Sequence, residues 1–299
     1  MLPSISSVDW RHGFILLTLL SALAAAVPGE ASALKVVDNK GRTVSLAAPA
    51  RRIVSLAPHT TELLYSAGAG EWLVAAVSYS DYPEAANALP RVGSYDRIDL
   101  ERVLALEPDL IVGWPSGNPD AALDFLTHHS IPVFFSEPLS FAQIAENIRS
   151  LGTLVGRDRV ADAAASAFEQ RMAEVQQRYQ GAPPVQVFYQ VWQDPLMTIS
   201  ADHIISKVMG LCGGQNLFPH LPRLASSIAL EAVLAADPEA IVIPASNAQW
   251  QQNWQRWPQL RAVRDQRILI VNPDLLSRPT ARIADGAEEL CSQLQAGTS

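Results

Sequence analysis

Cysteine is scarce in this chain: two in 299 residues, Cys212 and Cys291, both in the C-terminal half. With no Cys-x-x-Cys, the sequence supports neither a zinc knuckle nor a thioredoxin-like redox pair. Charge is thin as well. Charged residues are 17 % of the total, with 22 Lys and Arg against 30 Asp and Glu, for a formal charge of −8. No basic run breaks that acidic balance, so the chain is not built to hold nucleic acid by its phosphates. The signatures of catalysis are missing too. Gly-x-Ser-x-Gly, a Walker loop, a dinucleotide fingerprint and His-Glu-x-x-His do not occur. An exported two-lobed enzyme would need a nucleophile–base pair that the sequence does not offer, so the chain reads as a non-enzyme. Of the six histidines, His128 and His129 are neighbours on one predicted helix and point to different faces, which argues against a shared metal. His59, His203 and His220 read as structural. His59 is the strongest exception, because it falls at a predicted strand-to-helix turn, where α/β proteins seat ligands.

One long apolar run is present, over residues 13–27. It follows Arg11 and His12 and precedes Ala31-Ser32-Ala33, a small-x-small cleavage pattern. A basic start, an apolar core of 15 residues and a cleavable end read as a signal peptide over 1–33. The run is short for a membrane span. An uncleaved anchor or a lipoprotein is the alternative, and the lack of Cys near the cleavage site speaks against lipidation. Loss of the leader removes one Arg and two acids and leaves a charge of −7. An exported chain with an even Cys count usually pairs them, two unrelated buried thiols being the other reading.

Residues 34–46 read as a hairpin around Asn39-Lys40-Gly41. A strand over 51–57 is stopped by Pro58, and Thr60 or Thr61 is expected to cap a helix running to Gly68. Strands then fall at 73–78, 109–114 and 132–135, and helices at 99–107, 119–129 and 140–155. This alternation implies a parallel sheet covered on both faces. Segment 158–180 is different: Ala-rich, free of Gly and Pro, with Val160, Ala164, Phe168, Met172 and Val175 at helical spacing. As a helix it would reach about 34 Å and would act as a strut that keeps lobe closure small. Alternation resumes with strands at 185–192, 240–244 and 267–271 and helices near 202–211, 229–236 and 280–295. The fold class is therefore α/β, with two pseudo-symmetric lobes of mainly parallel sheet joined by one long α-helix. The parts are a signal peptide 1–33, an N-terminal lobe 34–157, an interlobe helix 158–180 and a C-terminal lobe 181–299.

An internal echo carries the symmetry. LERVLALEPDLIV (100–112) matches LEAVLAADPEAIV (230–242) at eight of 13 positions. Each copy is a short helix, a Pro-acid turn and a strand, which suggests duplicated lobes. Both place a glutamate, Glu101 or Glu231, in a first helical turn, where the dipole favours it. Aromatics collect at strand ends: Tyr79 and Tyr82 in SYSDYP, Tyr95 in VGSYDRID, Trp114 after DLIVG, and Trp192 after VFYQV. Such residues line wide, mostly apolar clefts. Trp250, Trp254 and Trp257 read mainly as packing within their own lobe. In DLLSR, Asp274 and Arg278 are spaced to face amide-bearing ligand edges together, or to form an ordinary surface ion pair.

RRIVSLAPHTTELLYSAGAG, SYSDYPEAANALPRVGSYDRIDLERVLALEPDLIV, VFYQVWQDPLMTIS and KVMGLCGGQNLF together resemble the periplasmic substrate-binding proteins of ABC importers that have a rigid interlobe helix. Within them the chain is similar to the cobalamin (vitamin B12)-binding branch, over nearly all of the mature sequence. The resemblance implies a monomer that captures cobalamin between its lobes and delivers it to a membrane permease and its ATPase. It implies no catalytic cofactor and no cobalt ligand from the protein. It places Tyr79, Tyr95 and Trp114 against the corrin, beside the strand-end Trp192, and Asp274, Leu275, Leu276, Ser277 and Arg278 on a loop at the ligand's polar rim. It gives Glu101 and Glu231 a role in permease docking and Cys212–Cys291 a disulfide. Haem or an iron-siderophore is the rival ligand. Tyr95 stands where a cleft Trp is usual, Ala225 where a Trp is found and Met197 where a Phe is found, so one wall is thinner in aromatics.

Overall fold

The computed structural model of the chain describes residues 33–244 and 248–296. The expected signal peptide, all but its last residue, lies outside the described residues. The chain opens with the antiparallel hairpin β1 (Leu34–Val37) and β2 (Thr43–Leu46), as its turn residues predict. Then follow β3 (Ile53–Ser55), α1 (Pro58–Ser66), β4 (Leu73–Ala76), a small hairpin β5 (Gly93–Ser94) and β6 (Arg97–Ile98), α2 (Leu100–Ala105), β7 (Leu110–Gly113), α3 (Asp120–His128), β8 (Val133–Phe135) and α4 (Phe141–Val155). The long helix α5 (Asp158–Arg178) comes next. After it run β9 (Val185–Tyr189), β10 (Trp192–Gln193), β11 (Leu196–Ile199), α6 (Ile204–Leu211), β12 (Gly214–Asn216), β13 (Ala225–Ser227), α7 (Leu230–Ala236), β14 (Ala240–Pro244), α8 (Ala248–Trp254), α9 (Arg261–Arg264), β15 (Ile268–Val271), α10 (Pro273–Leu276) and α11 (Ile283–Gln295).

Two four-stranded parallel sheets result, ordered β4-β3-β7-β8 and β12-β9-β14-β15. Their strands are short and buried, which suits sheets covered on both faces. The echoed sequence falls on the same part of each, α2–β7 and α7–β14. The likeness extends to the turn between them. Glu107 and Asp237 are both left-handed, at φ 46° and 47°. Asp109 accepts from the backbone N–H of Arg51 and Arg52 at 2.7 and 2.9 Å, and Glu239 accepts from that of Gln186 at 2.7 Å. An arginine closes the helix end in each copy, Arg52 donating to the Leu106 carbonyl and Arg261 to that of Asp237. Helix ends leave four carbonyls unpaired, and a guanidinium is a ready partner for them.

Two sequence expectations shift. Ala57, not Thr60 or Thr61, is the N-cap of α1, with Pro58 in its first turn. Thr60 reaches back instead to accept from the Ala57 N–H. The buried stripe of α5 is Ala161, Ala165, Phe168, Met172 and Val175, while Val160 is exposed. Steps of four alone drift off one face of a 3.6-residue helix; alternating four and three holds it. Gly152 of α4 is needed there, since a Cβ would meet the Cβ of Ala161 at 2.2 Å. One continuous core runs from β3 and α4 through α5 to α6 and α11. Arg149 pairs with Asp162 and Glu169 on the α4 side, and Arg171 with Asp285 on the α11 side. The Cys212–Cys291 disulfide ties the end of α6 to α11.

Candidate functional site

Residues just past the carboxyl ends of β7 and β8 line a cleft, where ligand sites of parallel sheets are expected. A cleft of about 700 Å³ is walled by Tyr95, Trp114, Ser116, Glu137 and Leu139 from the first half and by Met197, His203, Arg223, Leu224, Ala225 and Ser277 from the second. That volume lies in the range of small-molecule sites. Other hollows of 300–660 Å³ draw on 42–133, on 173–213 or on 184–296. None of those three combines residues of the two halves across the opening, and none carries a tryptophan.

Trp114 is the most constrained side chain of the first wall. It follows β7, and its indole N–H donates to Glu137 at 2.9 Å. Glu137, just past β8, also accepts from the N–H and hydroxyl of Ser116 at 2.8 and 2.7 Å. Its own N–H donates to Asn39, which Asn147 also contacts. The ring meets His59 edge-on at 5.3 Å and Tyr95 at 5.6 Å. Gly117 makes this possible, because a Cβ there would sit 2.0 Å from the indole. His59 is buried, which lowers its pKa to about 4, and its Nε2 faces the Ser136 carbonyl at 3.3 Å. It is therefore a neutral brace behind Trp114. Tyr95 sits in the tight β5–β6 turn, which needs the positive φ of Gly93.

The second wall is built differently. Met197 and Ala225 lie on a three-stranded antiparallel sheet, β10-β11-β13, that the alternation pattern does not foretell. Its strands are too short for their periodicity to register. A second hollow of about 430 Å³ adjoins the cleft, sharing His203 and Ser277, and it contains Trp192 and Trp250. Their rings meet edge-on at 5.9 Å. Burial lowers the pKa of His203 to about 4, and its Nδ1 caps α6 by accepting from the Ile205 N–H.

Residues 274–278 divide. Ser277 lines both hollows, whereas Leu276 is fully buried in the core and offers the cleft nothing. Arg278 does pair with Asp274, at 2.9 Å, but its guanidinium also reaches Glu62 at 3.0 Å and Asp81 at 2.7 Å. Neither hollow is lined by it. The ion pair within the DLLSR segment is therefore present, and the same guanidinium also faces carboxylates of the other lobe. Glu62 is buried and accepts also from Arg282 at 3.1 Å and Thr280 at 2.9 Å. Burial raises its pKa, against the pull of those donors. At Asp81 the cost of partial burial is outweighed by the bond and charge of Arg278, and its pKa is lowered. Arg282 stacks on Tyr82 at 3.9 Å. Tyr79 lines neither hollow; it is 71 % exposed, with a left-handed backbone at φ 65°. An aromatic residue rarely adopts that conformation, and such strain collects at functional positions.

A family model described as periplasmic binding protein matches residues 53–275, from β3 into α10. The chain belongs to the periplasmic binding protein family. It is 37 % identical over 248 residues to the vitamin B12-binding protein of Vibrio cholerae, covering 83 % of this chain and 90 % of that one. The crystal structure of periplasmic vitamin B12 binding protein BtuF of Vibrio cholerae superposes with a TM-score of 0.77, covering 82 % of this chain and 97 % of that one. A periplasmic heme binding protein from Pseudomonas aeruginosa superposes at 0.72 with 26 % identity, covering 84 % and 94 %. These relatives are named for binding, not for a reaction.

Glu101 and Glu231 are exposed in the first turns of α2 and α7, and neither enters an ion pair among the described residues. Three positions of consequence escaped the sequence reading. Glu62 sits within an unremarkable helix, Glu137 precedes a proline with no periodic signal, and Arg223 lies in an irregular stretch.

Proposed function

We propose that this periplasmic binding protein takes cobalamin in the cleft between its lobes and delivers it to the permease and ATPase of an ABC importer. The observation that carries the reading is the cleft shared by both halves, lined by Trp114 and Tyr95, their rings tilted 51° to each other, from one lobe and by Met197 and Ala225 from the other. Aromatic and apolar walls with a few polar groups suit a corrin ring edged by amides. Tyr95, Trp114 and Ser277 form the inner contacts. Trp192 closes the adjoining hollow, and Tyr79 meets the ligand from the rim, which would account for an aromatic held exposed at positive φ. Asp274, Leu275 and Arg278 act as frame more than as contact.

The parts are a cleaved leader over 1–33, an N-terminal lobe 34–157, the helix 158–180 and a C-terminal lobe 181–299, acting as a monomer. Export by that leader fits the family's periplasmic place. The core that passes through α5 supports small lobe closure, which scattering with and without ligand would test. Glu101 and Glu231, one on each lobe, dock onto basic residues of the permease. Exposed charges of this kind set orientation and are salt-sensitive. Reversing both charges is expected to abolish importer-coupled uptake while ligand binding persists; unchanged uptake would refute the docking role.

The deciding experiment is titration with cyanocobalamin, dicyanocobinamide and haemin, read by calorimetry and absorbance. Saturable one-to-one binding of cyanocobalamin supports the reading. Haemin binding without corrinoid binding would replace it with the ligand of the Pseudomonas aeruginosa relative.

A further inference from the structure

The cleft wall carries two charged side chains, Glu137 from one lobe and Arg223 from the other. Their situations differ. Glu137 is engaged by Trp114 and twice by Ser116, so its oxygens are turned to its own lobe. Arg223 is exposed and forms no hydrogen bond or ion pair with any described residue. Arg278 is held by Glu62, Asp81 and Asp274. His203, also on the wall, is kept neutral by burial. Among the described residues of the wall, the charge left available to a ligand is thus a single guanidinium.

Its base is anchored. The Leu224 carbonyl accepts from the Ser200 N–H at 3.0 Å, and the Pro219 carbonyl from the Ala201 N–H at 3.0 Å, which ties the strand-like approach to the end of β11. A guanidinium on a fixed stem beside an apolar wall favours a ligand with a phosphate or carboxylate at its edge. Cobalamin bears one such group, the phosphodiester of its nucleotide loop, and cobinamide lacks that loop. We infer that Arg223 is a specificity-determining residue that reads this phosphodiester and so separates complete cobalamin from cobinamide. The inference rests on the cobalamin reading and adds to it a preference among corrinoids.

Calorimetric titration of the wild type, Arg223→Gln and Arg223→Lys with cyanocobalamin and dicyanocobinamide tests it. Arg223→Gln is expected to weaken cyanocobalamin binding about fivefold at low salt, in keeping with a partly solvated ion pair. Arg223→Lys should recover part of the loss, dicyanocobinamide affinity should stay unchanged, and high salt should erase the difference between wild type and variant. Equal weakening of both ligands, or no change in either, overturns the inference and leaves the cobalamin reading standing. If the wild type binds neither corrinoid, both fall together.

Discussion

The two lobes share a frame and differ at the edge that faces the cleft. Both carry a four-stranded parallel sheet of the same order, the same helix–turn–strand unit, the same left-handed acid before proline and the same arginine closing the helix end. Past the strand ends the likeness stops. The first lobe presents Trp114 and Tyr95, braced by Glu137 and His59. The second presents Met197 and Ala225 on a three-stranded antiparallel sheet, where the first has the two-stranded β5–β6 hairpin, and it alone is stapled by a disulfide. The lesson is that the repeated unit builds the scaffold, whereas the cleft walls are set by unrepeated loops, which are free to change because little of the core depends on them.

That contrast can be broken most strongly at the disulfide. Cys212 and Cys291 are 79 residues apart, and releasing a loop of that size costs about 4.5 kcal/mol on the chain-entropy view. A Cys212→Ser, Cys291→Ser double variant should lose most of that in urea unfolding. Stability equal to wild type would mean the second lobe does not depend on its staple. A smaller loss, about 3 kcal/mol, is expected from Glu62→Ala, which strands Arg278 and Arg282 without their buried partner. Because Glu62 belongs to one lobe and its donors to the other, unfolding followed by two probes, one per lobe, should lose coincidence in this variant.

Acid should reveal the histidines. Both are held near pKa 4 in the folded state by burial, against about 6.5 when unfolded. The unfolded chain then binds more protons below pH 6.5, so the stability they permit is complete above that value and is lost as pH falls towards 4. His59 accounts for about 3 kcal/mol of this; His203, partly open to the cleft, for less. Urea curves from pH 7 to pH 4.5 should slope accordingly, and His59→Phe should flatten them. An unchanged slope would remove His59 from the account. The smallest effects concern the walls. Trp114→Ala should weaken cobalamin binding by about 2 kcal/mol, roughly thirtyfold, whereas Met197→Phe should tighten it about threefold by thickening the barer wall. Equal losses from both changes would contradict the asymmetry.

The scaffold was readable in the sequence because it is periodic. Strand 240–244 and the long helix fall where apolar spacing and the closing Gly-Ala-Pro-Pro put them, and the echo at 100 and 230 announced the second lobe. The cleft was readable only in part. Trp114 stands next to a strong strand signal, so its placement follows from local pattern, whereas the two-residue strands that flank Tyr95 give none. The pairing of Arg278 with Glu62 was not readable, because the two are 216 residues apart and no local pattern reports such a contact. The β10-β11-β13 sheet has strands of two to four residues, too short to alternate visibly. Glu137 and Arg223 lie in irregular segments, where composition says little about what a side chain will meet.

The most direct test of the central claim is a crystal structure of the protein grown with cyanocobalamin. The account predicts the corrin between the lobes, one face in contact with Trp114 and Tyr95 and the other towards Met197 and Ala225. A corrin seated elsewhere, or a cleft left empty while solution binding is saturable, would contradict it.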